Sequence, residues 1–479
     1  MNRVIPIARA PAPAVATRVA NVLTRWPLLG WLLRRGYLMT GLRVLSLLLF
    51  TVGVATAFVT EDARVGLATL LMWGVFWPLL TSVVTPTLGN AYCAICPHGF
   101  VGKWLSRRGL RRPFPKRLQG VWLGLVIIVL AYWVVAYAMP GALSASTRTT
   151  AWYFLIFSVI AFATFFVFKD MAWCKHACPL GRVLATHGKV GVLQILTEAE
   201  DCKSCRTFEC AKACSYHLSP FRFESRNNMD ACTLCTDCIT ECDSAHLVVR
   251  RPGAALTLPV TGQDRHEMWV FLVILGVAGV GIQFLHGLQH TPLKPYLPWV
   301  LAGEWVHARG AVDAKVFDIG RFLALALGLG LTLLVGTWAY ARAARAAGVS
   351  WRTAANGLAL ALAPLAIIGL IPHAVTTFAT RNAHVLGNEL GALFGVHLSF
   401  PALAERGDAW LGWLNVLPYA ALVWTLWLVW IRVEVLAMQA GCGRMRLWLY
   451  GSAPALLYAF VLVIKLAALV LMPGAEHTH

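Results

Sequence analysis

The chain has 479 residues, of which 58% are hydrophobic and only 13% are charged. This apolar share and a mean hydropathy of +0.65 exclude an ordinary soluble domain and predict a membrane protein. Lys and Arg outnumber Asp and Glu by 41 to 22. Because the basic residues lie between apolar runs, the excess indicates membrane orientation and no nucleic-acid partner.

The first 40 residues join an Ala/Pro stretch to a short apolar run that ends in Arg34 and Arg35. A cleaved signal peptide is one interpretation, but Pro27 interrupts the run and no small-residue cleavage site follows it. We therefore expect residues 1–40 to form a cytoplasmic amphipathic segment on the inner leaflet.

About nine apolar runs are long enough to cross the hydrocarbon core of a bilayer. They cover approximately 41–60, 65–86, 120–139, 151–168, 268–288, 319–340, 357–379, 411–431 and 452–472. With the amino terminus inside, most basic residues fall in the inner segments, which predicts a bacterial inner membrane protein with a periplasmic carboxyl terminus. The runs divide the chain into a four-span module (41–168), a cytoplasmic domain (169–265) and a five-span module (266–479).

Two short cysteine motifs follow the second and fourth spans. They are Cys93-x2-Cys96-Pro-His-Gly and Cys174-x3-Cys178-Pro-Leu-Gly. Each motif follows a span and precedes a basic stretch, so we interpret 65–117 and 151–190 as a repeated unit. The spacing leaves three roles open for these four cysteines, namely a third metal centre, two redox-active dithiols or a structural turn.

Eight further cysteines form two runs in the predicted cytoplasmic domain. The first run is Cys202, Cys205, Cys210 and Cys214, and the second is Cys232, Cys235, Cys238 and Cys242. The second run has the C-x2-C-x2-C-x3-C spacing of bacterial ferredoxins, with Asp243 where proline is usual. The first run is looser, because four residues separate Cys205 from Cys210.

These runs predict two [4Fe–4S] clusters. In two-cluster ferredoxins the fourth cysteine of each run ligates the other cluster. One expected ligand set is therefore Cys202, Cys205, Cys210 and Cys242, and the other is Cys232, Cys235, Cys238 and Cys214. Structural zinc sites and disulfides of an exported domain are the alternative interpretations.

With these motifs, residues 40–250 or so resemble the membrane polyferredoxins. That group includes the quinol-dehydrogenase membrane subunit of periplasmic nitrate reductase, the nitrous-oxide-reductase regulator and the cytochrome oxidase accessory protein. Residues 173–181 carry the most specific part of the resemblance outside the ferredoxin runs, whereas the motif at Cys93 and Cys96 is one residue shorter than the family spacing. The resemblance implies electron transfer between the membrane and the cluster domain. The expected fold is a mainly α, polytopic membrane protein with an inserted ferredoxin-like α+β domain.

Three histidines are the candidate residues of the carboxyl-terminal half, since ionisable side chains inside spans usually mark function. His286 and His290 share a helix face at the outer end of the fifth span, and His373 lies at similar depth in the seventh. A bis-histidine haem b site or a quinone site would use such a group. Helix capping near Pro292 and Pro372 is the structural alternative.

These features predict a membrane-bound iron–sulfur electron-transfer protein, with two [4Fe–4S] clusters and no residue assigned as catalytic. It would connect a cytoplasmic electron-transfer or catalytic subunit with quinone, haem or another membrane or periplasmic partner, as a subunit of a membrane oxidoreductase. An accessory protein for maturation or metal reduction of another redox enzyme, or a redox-sensing regulator, is the alternative. No nucleotide- or flavin-binding motif accompanies the cysteines.

Overall fold

The computed structural model describes residues 21–60, 66–140, 142–143, 146–188, 191–223, 232–251, 253–257, 267–405, 407–440 and 443–472. Within these ranges, eight helices are long and apolar enough to cross a bilayer. They are Tyr37–Val59, Leu67–Ile95, Thr147–Val167, Met268–His290, Ile319–Ala347, Trp351–Ala392, Ala409–Glu434 and Arg444–Leu471. The prediction of a mainly α, multi-pass membrane protein is confirmed.

The predicted third span is a shorter apolar helix, Trp122–Ala138. The backbone N–H of Gly120, just before this helix, donates to Nδ1 of His176 in the second cysteine motif at 3.2 Å. The helix therefore starts on the side of the bundle that carries the cysteine motifs, called here the cysteine side. Since Thr147–Val167 runs back to that side, the chain must cross between Gly120 and Thr147, and Trp122–Ala138 makes this crossing.

π-helical turns interrupt several of the spans, at Leu70–Phe76, Leu80–Leu88, Ile128–Val134, Leu275–Gly281, Gln283–Gly287 and Phe378–Asn382. Such turns are frequent at functional sites. Here they lie in the span that leads to the first cysteine motif, in the third predicted span, and in the spans that carry the three histidines. The fifth and sixth spans also pack closely, because a Cβ atom added at Gly328 would lie 2.6 Å from the Cα of Gly281.

The cysteine runs belong to a small domain built around one two-stranded antiparallel sheet. Leu193–Thr197 pairs with Ala245–Val249 in the register Leu193 to Val249. The short helices around this sheet are Ala199–Ser204, Glu209–Ala213, Asp237–Glu241 and Ala254–Thr257. Helix Pro179–His187 precedes the first strand and leads into the domain from the membrane bundle. A buried core of Ile195, Ile239 and Val248 holds the sheet and helices together.

The amino-terminal segment packs against this domain. Helices Val22–Arg25 and Pro27–Arg34 contribute Leu23 and Leu33 to its core, and Asn21 pairs with Val248 of the second strand. One face of the described part of the predicted amphipathic segment thus packs against the cysteine domain of the same chain. The hydrophobic pattern did not indicate this contact. Its other face leaves the large apolar side chains Trp26, Leu28 and Trp31 exposed.

Candidate metal centres

The two cysteine runs fold into similar loops. Phe208 and Thr236 have left-handed backbone conformations, with φ of 50° and 60°, two residues before the third cysteine of each run. Such residues turn successive N–H groups toward one point, which suits an anion. N–H groups of Phe208 and Thr207 accordingly donate to the thiol of Cys205 and lower its pKa.

The second loop supplies donors in the same way. The N–H of Leu234 donates to the Cys232 thiol, and the N–H of Asp237 donates to the Cys235 thiol. Burial nevertheless raises the pKa of Cys235 to about 11. These thiols are therefore neutral until a metal displaces their protons, and the N–H donors then stabilise the thiolates that a cluster requires.

The fold brings the fourth cysteine of each run to the other run. Cys214 lies within electrostatic range of Cys232, Cys235 and Cys238, and burial raises the pKa of Cys238 well above its ordinary value. Cys210 has Cys242 and Cys202 as its neighbours, and burial followed by the Cys242 charge raises its pKa to about 11. Cys238 also has Cys210 of the first run in electrostatic range. The crossed ligand sets expected from the spacing therefore stay a prediction.

The two sets differ in exposure. Three members of the second set, Cys214, Cys232 and Cys238, are buried. In the first set only Cys210 is buried, and Phe208, beside Cys205, leaves 41% of its surface exposed. The first set therefore lies nearer the surface of the domain and the second lies nearer the membrane bundle.

The two membrane-end motifs also converge. Cys93, Cys96, Cys174 and Cys178 lie within electrostatic range of one another, and we call them the quartet. Burial, followed by the Cys96 charge, raises the pKa of Cys178 to about 12. The sequence left three roles open for these cysteines, and only a third metal centre required the two motifs to converge.

The proline and glycine of each quartet motif fit the start of the helix that follows its cysteines. Pro97 and Pro179 occupy the first turns of helices Pro97–Arg108 and Pro179–His187, where proline is tolerated. Cys178 precedes its helix, and its Sγ accepts the N–H of Gly181 at 3.3 Å. A Cβ atom at Gly181 would lie 2.9 Å from the Cys174 carbonyl oxygen. Two helix amino termini thus face the quartet, and their partial positive charge suits an anionic group.

Tyr216 links the quartet to the second thiol set. Its side chain forms a hydrogen bond with Cys174, and it lies within electrostatic range of Cys93 and Cys235. Asn90 lies just before Cys93, and its side-chain amide donates to the Cys232 carbonyl oxygen at 3.1 Å. The quartet and the second set are consequently direct neighbours.

Arg43 holds the same two loops together. Its guanidinium donates to the carbonyl oxygens of Ala94 at 2.9 Å and of Cys235 at 3.0 Å. It also pairs with Asp237 at 3.3 Å, and Lys103 pairs with the other oxygen of that carboxylate at 2.6 Å. Because the Arg43 side chain is only 14% exposed, these contacts are largely shielded from water.

Arg43→Gln should loosen the domain from the membrane bundle. The glutamine cannot span both carbonyl oxygens and Asp237, so we expect a stability loss of about 1.5–3 kcal/mol for the lost charge-assisted hydrogen bonds. Thermal loss of the visible cluster absorption measures this change. Arg117→Gln, at an exposed position, is the control and should melt like the parent; equal melting of both variants would contradict the role given to Arg43.

The twelve cysteines in the described ranges are all free thiols. In that part of the chain, no three His, Cys, Asp or Glu side chains converge closely enough to hold one metal ion.

The three predicted histidines meet on the side of the bundle opposite to the cysteines. The ring of His286 lies 6.2 Å from that of His290 and 6.3 Å from that of His373, with planes inclined by 8° and 17°. All three are exposed. Tyr137, at the far end of Trp122–Ala138, places its ring 5.7 Å from His286. The sequence placed His373 at similar depth to the pair, and the fold brings its ring next to that of His286.

Three residues of the site were not predicted from the sequence, namely Arg43, Tyr216 and His98. Arg43 had a usable signal, since it is an ionisable residue inside the predicted first span. His98 follows the first motif, and its Nδ1 lies 4.0 Å from the Cys96 Sγ. Tyr216 had no signal, because only the fold brings it to Cys174.

Comparison with known proteins identifies the chemistry of the quartet region. A family model described as a 4Fe-4S binding domain matches residues 69–121 and 150–193. Both matched stretches contain a quartet motif, and they agree with the predicted repeat. The Escherichia coli (strain K12) protein named "Putative electron transport protein YccM" is 20% identical over 243 residues, 45% of this chain and 66% of that protein.

The alignment with that relative covers slightly less than two thirds of its length. No solved structure matches the chain. The family match supports iron–sulfur binding by the stretches that contain the quartet motifs, and the apolar helices make the chain a multi-pass membrane protein.

Proposed function

We propose, on the premise that this chain is similar to the membrane polyferredoxins and carries a 4Fe-4S binding domain, that it transfers electrons between a cytoplasmic partner and the membrane. When bound, [4Fe–4S] groups take up and release single electrons. The protein's own residues hold these groups, space them and keep water away from them.

The observation that carries the proposal is the serial order of the three thiol sets. Cys202, Cys205, Cys210 and Cys242 would hold the outermost cluster, and Cys232, Cys235, Cys238 and Cys214 would hold the next. The quartet would hold a third, since it lies beside the second set through Tyr216 and Asn90. The match of the 4Fe-4S model to both quartet motifs supports this third centre.

The basic residues support an orientation with the thiol sets in the cytoplasm of a bacterium. Lys103, in the basic segment after the first motif, pairs with Asp237 of the cysteine domain. The basic segment and the thiol sets therefore share one side of the bundle, which the positive-inside rule assigns to the cytoplasm. The amino terminus then lies in the cytoplasm and the carboxyl terminus in the periplasm. A cytoplasmic redox subunit would bind the exposed surface near Cys205.

The histidine group supports a smaller, separate proposal of a haem b site. His286 and His373 come from different spans, so their imidazoles can approach one haem from opposite faces. His286 and His290 cannot do so, because they project from the same face of one helix. Arg321 lies within electrostatic range of His286 and would suit an anionic propionate.

One preparation tests both proposals. The full-length protein, purified anaerobically in detergent, should contain about twelve irons and as many sulfides for three cubanes. Redox-titrated EPR should resolve their signals, and a Soret band would report haem. About eight irons would remove the third centre from the proposal, zinc in place of iron would contradict the electron-transfer function, and a missing Soret band would contradict the haem site.

A further inference from the structure

A positive charge, that of Arg182, lies beside the quartet. Arg182 belongs to Pro179–His187, and its backbone N–H donates to the Cys178 carbonyl oxygen at 3.4 Å. Gly124 of Trp122–Ala138 leaves room for the side chain, because a Cβ atom there would lie 3.2 Å from both the Arg182 Cγ and that carbonyl oxygen. The packing of this helix against the third span therefore holds the arginine stem next to the second quartet motif.

The surroundings of this charge are apolar. Arg182 and all four quartet cysteines line one cavity of about 690 Å³, whose other walls are mainly aliphatic and aromatic. The cavity reaches the lipid at Leu45 and Leu49, which line it and are also exposed on the outside of Tyr37–Val59. Neither lipid nor apolar side chains screen a charge as water does, so Arg182 acts strongly on a charge at the quartet.

The Arg182 guanidinium has no strong partner of its own. Its Nε is buried without a hydrogen bond, and its Nη2 lies 3.5 Å from Nδ1 of His176. That nitrogen already accepts the Gly120 N–H at 3.2 Å, and burial lowers the pKa of His176 to about 4, so the ring is neutral at neutral pH. No carboxylate within the described ranges pairs with Arg182, whereas Cys178 lies within its electrostatic range. A shielded cation without a counter-charge is costly, and the counter-charge must come from the quartet.

Two other cations near the thiol sets have carboxylate neighbours. Arg43, beside the second set, pairs with Asp237 at 3.3 Å. Lys175, between the two cysteines of the second quartet motif, has Asp170 within electrostatic range. Arg182 differs from both, because no acidic side chain of the described segments offsets its charge.

A cluster held by the quartet would supply the missing negative charge. Its four thiolates make such a group anionic, and reduction adds one electron to it. A fixed positive charge nearby stabilises the reduced form more than the oxidised form, because the attraction grows with the negative charge. Net charge and burial are among the factors that set iron–sulfur potentials. The guanidinium therefore favours reduction of the centre.

We propose that Arg182 is the counter-charge of the third centre and raises its reduction potential, which favours electron transfer to it from the second thiol set. The proposal rests on the electron-transfer function above and deepens it, since it assigns a residue other than a cysteine to the potential of that centre. A lysine at this position would act in the same way, whereas a neutral side chain would not.

The test is a redox titration of the full-length protein, purified anaerobically in detergent, that follows the EPR signal removed by Cys178→Ser. Arg182→Gln should favour the oxidised form of this centre about tenfold, which lowers its midpoint potential by about 59 mV. Arg182→Lys keeps the charge and should stay close to the parental potential. Arg117→Gln, which removes an exposed positive charge, is the control and should leave the potential unchanged, because water and salt screen that charge.

Two results would overturn the role of Arg182 in a protein that holds about twelve irons. A parental or higher potential in Arg182→Gln would show that the charge does not act on the centre. An equal fall of the potential in Arg182→Lys or Arg117→Gln would show that the position of this charge is not what matters.

The iron content separates this proposal from the one on which it rests. If Arg182→Gln holds only about eight irons, Arg182→Lys decides. About twelve irons at the parental potential in the lysine variant would support the counter-charge, and about eight irons would overturn it. About eight irons in the parent would remove the third centre itself, whereas about twelve irons with unmoved potentials would contradict the role of Arg182 alone.

Discussion

Cys214→Ser is expected to remove the cluster signal of the second thiol set, although Cys214 belongs to the first cysteine run. The reason is spatial, because Cys214 lies with Cys232, Cys235 and Cys238 in a buried group. Loss of one of four thiolates from a buried site leaves an iron corner without its ligand. We expect about four fewer irons per protein and the disappearance of the same EPR signal that Cys235→Ser removes.

Two variants make this prediction specific. Cys205→Ser should remove the other ferredoxin signal, since Cys205 belongs to the outer set. Cys442→Ser is the control for loss of a thiol, because this cysteine belongs to neither run nor to the quartet, and it should keep all iron. If Cys214→Ser removed the signal that Cys205→Ser removes, each run would bind its own cluster and the crossed assignment would be wrong.

Cys178→Ser is expected to disconnect the cysteine domain from the membrane while both ferredoxin signals persist. The half-buried Cys178 lies within the quartet, at the amino terminus of Pro179–His187. We expect a loss of about four irons. Oxidation of the dithionite-reduced protein by decylubiquinone, followed by stopped-flow absorbance, should fall to the rate of protein-free controls.

The outcome of this variant also separates the three roles considered for the quartet. Unchanged iron with slow oxidation would assign the cysteines to redox-active dithiols. Unchanged iron with unchanged oxidation would leave them a structural role in shaping the turn, and the third centre would be wrong. Cys442→Ser again serves as the matched control, and it should oxidise at the parental rate.

The cysteine runs could be recognised from the sequence because most ligands of one cluster come from a single short segment. Three ligands of one cubane come from a single loop, so the spacing in Cys232-x2-Cys235-x2-Cys238 already contains much of the geometry. The spans were readable for a similar reason, since each must supply its own apolar length. The span predicted at 120–139 is the shorter helix Trp122–Ala138, and the position of Gly120 beside His176 supports its crossing.

Contacts between distant segments were not readable in the same way. Leu23 and Leu33 formed an apolar pattern that suited either a lipid leaflet or a protein surface, and the pattern does not distinguish them. Arg43 was visible as a charge within a span, but its acceptors on Ala94 and Cys235 are backbone carbonyls, which every residue possesses. Because any residue type can provide a backbone carbonyl, the sequence does not show which residues Arg43 contacts.

The amino-acid sequence by itself determined that this is a membrane protein of about nine spans with two cysteine runs, because hydropathy and ligand spacing act over short stretches of chain. Only the tertiary structure decided that the four membrane-end cysteines meet beside the second run and that a lipid-facing cavity lies next to the quartet. It also decided that the three histidines come together on the opposite side of the bundle. Each of these depends on how helices far apart in the chain pack together, and packing is set by the summed surfaces of all of them.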